Sequence, residues 1–318
     1  MLPVSCETRL TPLSLSMIET RRHMARTLDS AGIPDHSLEA DILLCHVTGG
    51  SRLLLHLEPS RRLRYEESEV LCRLLSRRLT REPLAYVLAS SEFYGLEFYV
   101  DHRVFIPRPE TELLVEKALE GARCLARHAN HPLVIADIGT GCGCVAIALA
   151  LSLPHAHIYA VDISAGALEV ADINRRKHAV ADRVQLLQGD LTHPLPEPAD
   201  LLVANLPYVE HDQVANLSPE IRYFEPVTAL DGGNDGLEYI RRLLKDAPSA
   251  LRHRAIILLE VGVNQAPAVM QLASEVLETS RCTSHRDLSG IQRVVSIERG
   301  MPQNSNATDL IRAAGGKS

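Results

Sequence analysis

A chain of 318 residues, 46% hydrophobic and 23% charged, has the balance of an ordinary globular protein with room for two domains, which excludes a chain too small or too polar to bury a core. Its net charge of −7 argues against gripping duplex nucleic acid through broad phosphate contacts, though not against a local basic face. Residues 1–90 hold 12 basic and 11 acidic side chains, so the acidity belongs to residues 91–318. Residues 1–6 lack the basic start and apolar core of a secretory signal. From residue 15 to about 88 the apolar spacing is helical: Ile18, Met24 and Leu28, then Leu38, Ile42 and Leu43, recur at three- and four-residue steps. Gly32-Ile33-Pro34-Asp35 and Thr48-Gly49-Gly50-Ser51 punctuate the pattern, and a third helix is predicted over residues 60–80 with Leu63, Val70, Leu71, Leu74 and Leu75 on one face. This is a small helical bundle. Its arginines (Arg61, Arg62, Arg64, Arg73, Arg77, Arg78) are read as a solvated face rather than a site for an acidic partner.

Between residues 92 and 105 the pattern turns to strand, with Gly95 near a turn. The chain has 12 aromatic residues, and Phe93, Tyr94, Phe98 and Tyr99 are four of them. That concentration predicts a hairpin joint in preference to an aromatic recognition surface. Ile106-Pro107-Arg108-Pro109-Glu110-Thr111-Glu112 then opens a helix, with proline and carboxylates suited to its first turn. Strand and helix signals alternate from there to about residue 260, which predicts a parallel sheet wrapped by helices. Residues 300–318 read as a loose polar tail. The longest apolar run, residues 144–154, is too short to span a bilayer. Seven scattered cysteines (Cys6, Cys45, Cys72, Cys124, Cys142, Cys144, Cys282) without a C-x-x-C pair point to a reducing compartment, hence the cytoplasm, and to no structural zinc. The 14 histidines are dispersed, and no metal site is expected.

Within the alternating region, Leu133-Val134-Ile135-Ala136-Asp137-Ile138 reads as a buried strand running into Gly139-Thr140-Gly141-Cys142-Gly143 and a helix. Glycines there permit a tight turn and a close backbone approach to a ligand. The next strand ends in Asp162, placed to accept from ribose hydroxyls. A third leads to Gly189-Asp190-Leu191, where the acid could take an adenine amino group and Leu191 could pack on the ring. A dinucleotide loop would want G-x-G-x-x-G, but the third glycine arrives one residue early, which favours S-adenosyl-L-methionine over NAD. Neither a Ser-His-Asp nor a Cys-His signature is present, and Cys142 and Cys144 are expected to pack. The fourth strand, Asp200-Leu201-Leu202-Val203-Ala204, ends in Asn205-Leu206-Pro207-Tyr208. In an open α/β sheet ligands bind beyond the carboxyl ends of the strands, so these four residues would project into the site. The Asn205 side chain and the Leu206 carbonyl, stiffened by Pro207, offer two acceptors for a planar NH₂ group, and Tyr208 could lie against its plane.

With those motifs in hand, the sequence resembles the peptide chain release factor N5-glutamine methyltransferases, the protein-(glutamine-N5) methyltransferases that modify the glutamine of the Gly-Gly-Gln motif in class I release factors. The likeness runs from Arg81-Glu82-Pro83-Leu84-Ala85-Tyr86 to Arg293-Val294-Val295. It includes residues 106–112, the loop 137–143, Asp162-Ile163-Ser164 with Asn174, Glu225-Pro226, Asp231-Gly232-Gly233, Asp235-Gly236-Leu237 and Asp287-Leu288-Ser289-Gly290. One position departs. The family usually has Asn-Pro-Pro-Tyr, whereas Leu206 here gives Asn-Leu-Pro-Tyr, similar to the clamp of ribosomal RNA dimethyladenosine transferases. Pro207 still follows the residue-206 carbonyl, so the acceptor is kept.

The resemblance implies an α/β, Rossmann-like class I S-adenosylmethionine-dependent methyltransferase domain over residues 106–299. A helical substrate-recognition domain over 12–90 and a hairpin linker over 91–105 would precede it, and a flexible tail over 300–318 would come after it. It further implies that Gly139, Thr140, Gly141, Cys142 and Gly143 carry the methionine part of the donor, Asp162 its ribose, and Asp190 with Leu191 its adenine, with Asn205 also against the donor and S-adenosyl-L-homocysteine as product. Asn205, Leu206, Pro207 and Tyr208 would hold the acceptor glutamine without an ionisable base. A monomer acting on class I release factors, with no membrane and no stable nucleic-acid partner, is expected. Two rival readings stay open. One is methylation of another planar nitrogen, an adenine in RNA or DNA or a ribosomal-protein glutamine; overall acidity weighs against adenine. The other is a non-catalytic module, which would have no need of the Asn205 amide.

Overall fold

The computed structural model describes residues 15–277 and 281–300. Expectations for residues 12–14 and for the tail beyond 300 lie outside the described residues. The chain divides into two compact units, one running to Ser90 and taking in Leu217–Phe224, the other comprising Ser91–Asn216 and the chain from Glu225 onward. The expected helical domain ends at residue 90, so the second visit of the chain to that unit is a feature the sequence pattern does not show.

In the helical unit, α1 (Met17–Ser30) starts where the Glu19 carboxylate accepts from the Ser16 N–H at 2.8 Å and from its hydroxyl at 2.7 Å. That contact occupies donors a helix start would otherwise leave bare. Its buried face is Met17, Thr20, Met24 and Leu28; Ile18 is only half-buried. Helix α2 (His36–Thr48) ends at Gly49 in the left-handed region, φ +66°. It buries Ala40, Asp41, Leu43 and Leu44, whereas Leu38, expected on the apolar face, is 42% exposed. Asp41 points inward because Arg21 and Arg52 pair with it. Helices α3 (Arg52–Leu57), α4 (Tyr65–Leu79) and α5 (Leu84–Leu88) follow. The third predicted helix thus begins at Tyr65 rather than residue 60, where the Glu67 carboxylate caps the Arg64 N–H at 2.7 Å. Leu63, Leu71 and Leu75 join Met17, Met24, Leu28, Leu43 and Leu44 in one core.

The expected solvated arginine face holds at Arg62, Arg64, Arg73 and Arg77, which are exposed, and is corrected at Arg78. Arg78 is buried and reaches Glu39 at 2.7 Å and, on the short helix Pro219–Phe224, Glu220 at 3.2 Å, while Arg81 donates to Glu220 at 2.9 Å. Arg77 binds Glu82 and the Tyr86 and Val87 carbonyls, and Arg61 and Arg64 share Glu67. Arg64 and Arg77 make their contacts from the exposed surface.

The second unit opens with an antiparallel hairpin, β1 (Ser91–Phe93) and β2 (Leu96–Phe98), turned by Tyr94 and Gly95 at φ +53° and +70°. Positive φ at both turn positions matches the twist of the strands. Phe93 and Phe98 pack edge-on with centroids 6.2 Å apart. A 3-10 turn, Pro109–Thr111, leads into α6 (Glu112–Ala126). The expected alternation then appears as β3 (Val134–Ile138), α7 (Cys144–Ser152), β4 (His157–Asp162), α8 (Ala165–Lys177), β5 (Val184–Gln188), β6 (Ala199–Ala204), α10 (Glu238–Ala250), β7 (Leu251–Glu260) and α11 (Ala266–Val276), interrupted after β6 by the helix Pro219–Phe224, α9, which belongs to the first unit. Two strands not anticipated, β8 (Arg281–Arg286) and β9 (Gln292–Arg299), complete a seven-stranded sheet in the order β5-β4-β3-β6-β7-β9-β8. Strands β3 to β7 run parallel, and β9 is antiparallel to both neighbours. Alternate residues serve opposite faces: Ala136, Ile138, Leu202 and Ala204 pack toward Ile240, Leu243 and Val269 of α10 and α11, while Leu201 and Ile256 lie against Gly121 of α6. The strand order reverses between β3 and β6, and in sheets of this kind the ligand crevice lies there, beyond the carboxyl ends.

Candidate active site

Four strand ends converge on that crevice. At the end of β3, Asp137 is buried and its carboxyl is pushed up to about 6, first by burial; the Thr140 hydroxyl (2.6 Å) and the Ala146 N–H (3.2 Å) hold it down, and the charge of Asp162 raises it. The loop it supports places Gly139, Gly141 and Gly143 at φ +75°, +55° and +84°, a conformation open to glycine without a Cβ penalty. The N–H groups of Gly139 and Thr140 both donate to the Val161 carbonyl at 2.9 Å. Asp162 braces the same loop, one oxygen accepting from the Gly141 N–H and the other from the Ser164 N–H, each at 2.9 Å. Burial raises its pKa against those bonds. A Cβ on Gly141 would meet nothing within 4 Å, so the loop faces free space there, while Gly143 abuts Ala171. Cys142 and Cys144 are buried, as expected. Asn174 fixes the loop from behind, donating to the carbonyls of Cys142 and Tyr99 at 2.9 Å. Beyond β5, Asp190 is paired with Arg242, and Leu191 is buried in the core at φ +50°.

At the end of β6, Asn205 donates through Nδ2 to the Thr111 hydroxyl at 3.2 Å. Among the described residues nothing donates to Asn205 Oδ1 or to the Leu206 carbonyl. The Leu206 side chain is buried in the core, and a Cβ on Gly139 would lie 3.1 Å from its Cδ2. Tyr208 is held by its backbone: Gln265 donates to its carbonyl at 2.9 Å while accepting from the Gly262 N–H at 2.8 Å. Val209 exchanges backbone bonds with Leu230 and Gly232 at 3.0 and 2.7 Å. A side chain at Gly232 would come within 2.6 Å of the Pro207 carbonyl, and one at Gly236 would run into the Tyr208 carbonyl, contacts only glycine avoids. Burial, then the charge of Glu260, pushes the Tyr208 phenol well up, so it stays neutral.

Several residues of this site carry tasks that no sequence motif discloses. Thr111, Asn174 and Glu225 fall inside motifs already singled out, but their tasks are visible only in three dimensions; Glu225 pairs with Arg108 and accepts from the Ile106 N–H at 3.2 Å. Gln265 carries no local signal. Glu260 does: it is an acid closing an apolar run, as Asp137 and Asp162 nearly are.

A parallel sheet with one antiparallel strand near its edge, a glycine loop at the switch point and acids at the next two strand ends is the construction of a class I methyltransferase, and enzymes of this class use S-adenosylmethionine. Residues 116–221 match the methyltransferase small domain, and residues 19–88 match the PrmC N-terminal domain. The solved hMettl16 catalytic domain shares the fold at 16% identity, with a TM-score of 0.52 over 74% of this chain and 82% of that one. The release factor glutamine methyltransferase of Nitratidesulfovibrio vulgaris is 36% identical over 89% of this chain and 95% of its own length. That of Geobacter sulfurreducens is 39% identical over 84% and 91%. The chain belongs to the release factor glutamine methyltransferase family.

Proposed function

We propose that the protein transfers a methyl group from S-adenosylmethionine to the side-chain nitrogen of the glutamine in the Gly-Gly-Gln motif of class I release factors, in the cytoplasm. The observation that carries this reading is the pair of uncommitted acceptors, Asn205 Oδ1 and the Leu206 carbonyl, beside the glycine loop. The crevice fits the donor: residues 139–143 offer bare backbone to its methionine part, and Asp162 keeps lone pairs for ribose hydroxyls after bracing the loop. Asp190 remains the candidate for the adenine amino group, although Arg242 already holds one of its oxygens. When bound, S-adenosylmethionine supplies a methyl group on a positively charged sulfur.

An amide nitrogen is a poor nucleophile because its lone pair is conjugated with the carbonyl. Asn205 and Leu206 would accept both of its N–H bonds and aim it at the methyl, and orientation of this kind supplies much of a barrier reduction. The same two oxygens would stabilise the positive charge that grows on the amide nitrogen as it takes the methyl group, and the nitrogen would then lose one proton to water. Tyr208, neutral and held by Gln265 and the surrounding glycines, walls the slot.

The test is mass spectrometry of the Gly-Gly-Gln peptide after reaction of release factor with labelled donor. Asn205→Ala is expected to lower transfer by roughly a hundredfold or more while donor affinity stays within about twofold. Near-normal turnover in that variant, or label in RNA instead of the release factor, overturns the reading.

A further inference from the structure

Strand β7 ends in a carboxylate that the clamp's own chemistry does not use. Ala204 and Leu259 are partners in the parallel ladder, so Asn205 and Glu260 follow side by side, one residue past each. Glu260 is 1% exposed. Among the described residues neither of its oxygens completes a hydrogen bond or an ion pair, although the Thr111 hydroxyl and the Asn205 amide lie close enough to hold its pKa down. Thr111 already accepts from Asn205 Nδ2. A buried carboxylate left in this condition is costly and calls for an explanation.

We propose that Glu260 is a positioning residue of the clamp: ionised, its carboxylate draws the Asn205 Nδ2 and Thr111 O–H donors toward itself and so holds Asn205 Oδ1 turned to the substrate amide. The role rests on the glutamine-clamp reading of Asn205 and Leu206. Its logic is the polarity of an acid. A carboxylate offers acceptors and no donor, so only the NH₂ end of Asn205 can face it. A neutral amide at position 260 could present its own N–H and let Asn205 rotate by half a turn, which would aim Nδ2 at the substrate's N–H groups. An apolar side chain would impose no orientation.

Groups on every neighbouring element set when the acid ionises. Burial pushes its pKa up to about 7; Thr111 opposes, Glu110 on the 3-10 turn raises it, and Arg293 on β9 and Asn205 lower it. Arg293 is shared with Asp287, which it meets at 3.1 Å, and Tyr208, a further titratable neighbour, is neutral. Ionisation therefore falls near neutral pH, and turnover rises with pH as Glu260 loses its proton.

The experiment measures kcat for methyl transfer to a release factor against pH, with donor affinity measured separately by calorimetry. Glu260→Gln is expected to lower kcat by roughly ten- to a hundredfold, to lose the rising limb near neutral pH and to leave donor affinity within about twofold. If that variant does not fold, Thr111→Val carries the test: kcat falls about tenfold, the limb moves to higher pH because a donor to the carboxylate is gone, and Thr111→Ser recovers most of the rate. An active wild type matched by Glu260→Gln or Thr111→Val in both rate and pH profile overturns the role alone. A wild type inactive on glutamine overturns the functional reading and the role with it.

Discussion

Leu206, the residue that departs from the usual family motif, buries an apolar side chain in the core and, in the proposed clamp, offers its backbone carbonyl to the substrate. The side chain packs beside Gly139 and so supports the glycine loop. Its N–H makes no backbone bond among the described residues, so proline at this position removes no donor that the fold uses. Leu206→Pro is therefore expected to cost about 1–2 kcal/mol of stability from lost apolar burial, read as a lowered melting temperature. Turnover should stay within about threefold of the parent because the carbonyl is retained. A stable but inactive variant would show that the side chain acts in substrate selection. The sequence discloses that Asn205, Leu206, Pro207 and Tyr208 stand at a strand end, because an apolar run stops there in polar residues and proline. It does not disclose the direction of the Leu206 side chain, nor that Asn205 leans on Thr111, since both depend on residues distant in the chain.

At the level of elements, what could be read was what repeats. The strands β3, β4 and β6 are apolar runs with abrupt ends, and helix α1 has a three- and four-residue stripe. The strand β8, Arg-Cys-Thr-Ser-His-Arg, has neither signal, because an edge strand paired on one side only need not be apolar. The helix α9 is hidden for a different reason: what binds it to the helical unit is charge. Arg78 stands between Glu39 and Glu220 with its side chain 4% exposed, while the two acids are 13% and 18% exposed. Arg78→Met would leave Glu39 without its cation and Glu220 with Arg81 alone. The expected cost is about 2–3 kcal/mol, less than for a dry pair because water reaches both acids. Glu220→Gln keeps the cation matched to Glu39 and should cost under about 1 kcal/mol. Equilibrium denaturation of the two variants checks the order, and equal losses would show that Arg78 matters only for packing.

Across the whole second unit, buried acids at strand ends set stability against function. For Asp137 the folded pKa is about 6 against an ordinary 3.8, and for Glu260 about 7 against 4.5. Burial also raises Asp162 and Glu225. A carboxyl whose folded pKa is raised is protonated preferentially in the folded chain, so its contribution is fully present below the unfolded pKa and is lost as pH climbs through the folded value. For Glu260 that window runs from about 4.5 to about 7, and the loss is on the order of 3 kcal/mol. His285, lowered by burial, works in the opposite sense, since the folded chain prefers its neutral form. The total pH dependence is thus a difference of several groups, but subtracting the curve of Glu260→Gln from that of the parent isolates the one carboxyl. Urea denaturation followed by circular dichroism between pH 4.5 and 8 should show the parent losing ground against the variant by about 2–3 kcal/mol as pH rises. Over the same interval the parent's kcat should climb and the variant's should not. A difference curve that stays flat would mean the acid titrates as an ordinary solvated carboxylate, and a kcat that climbs in both proteins would place the titrating group elsewhere in the crevice. Opposite slopes for stability and turnover in one protein, both removed by one substitution, follow only if the charge that destabilises the fold is the charge that orients Asn205.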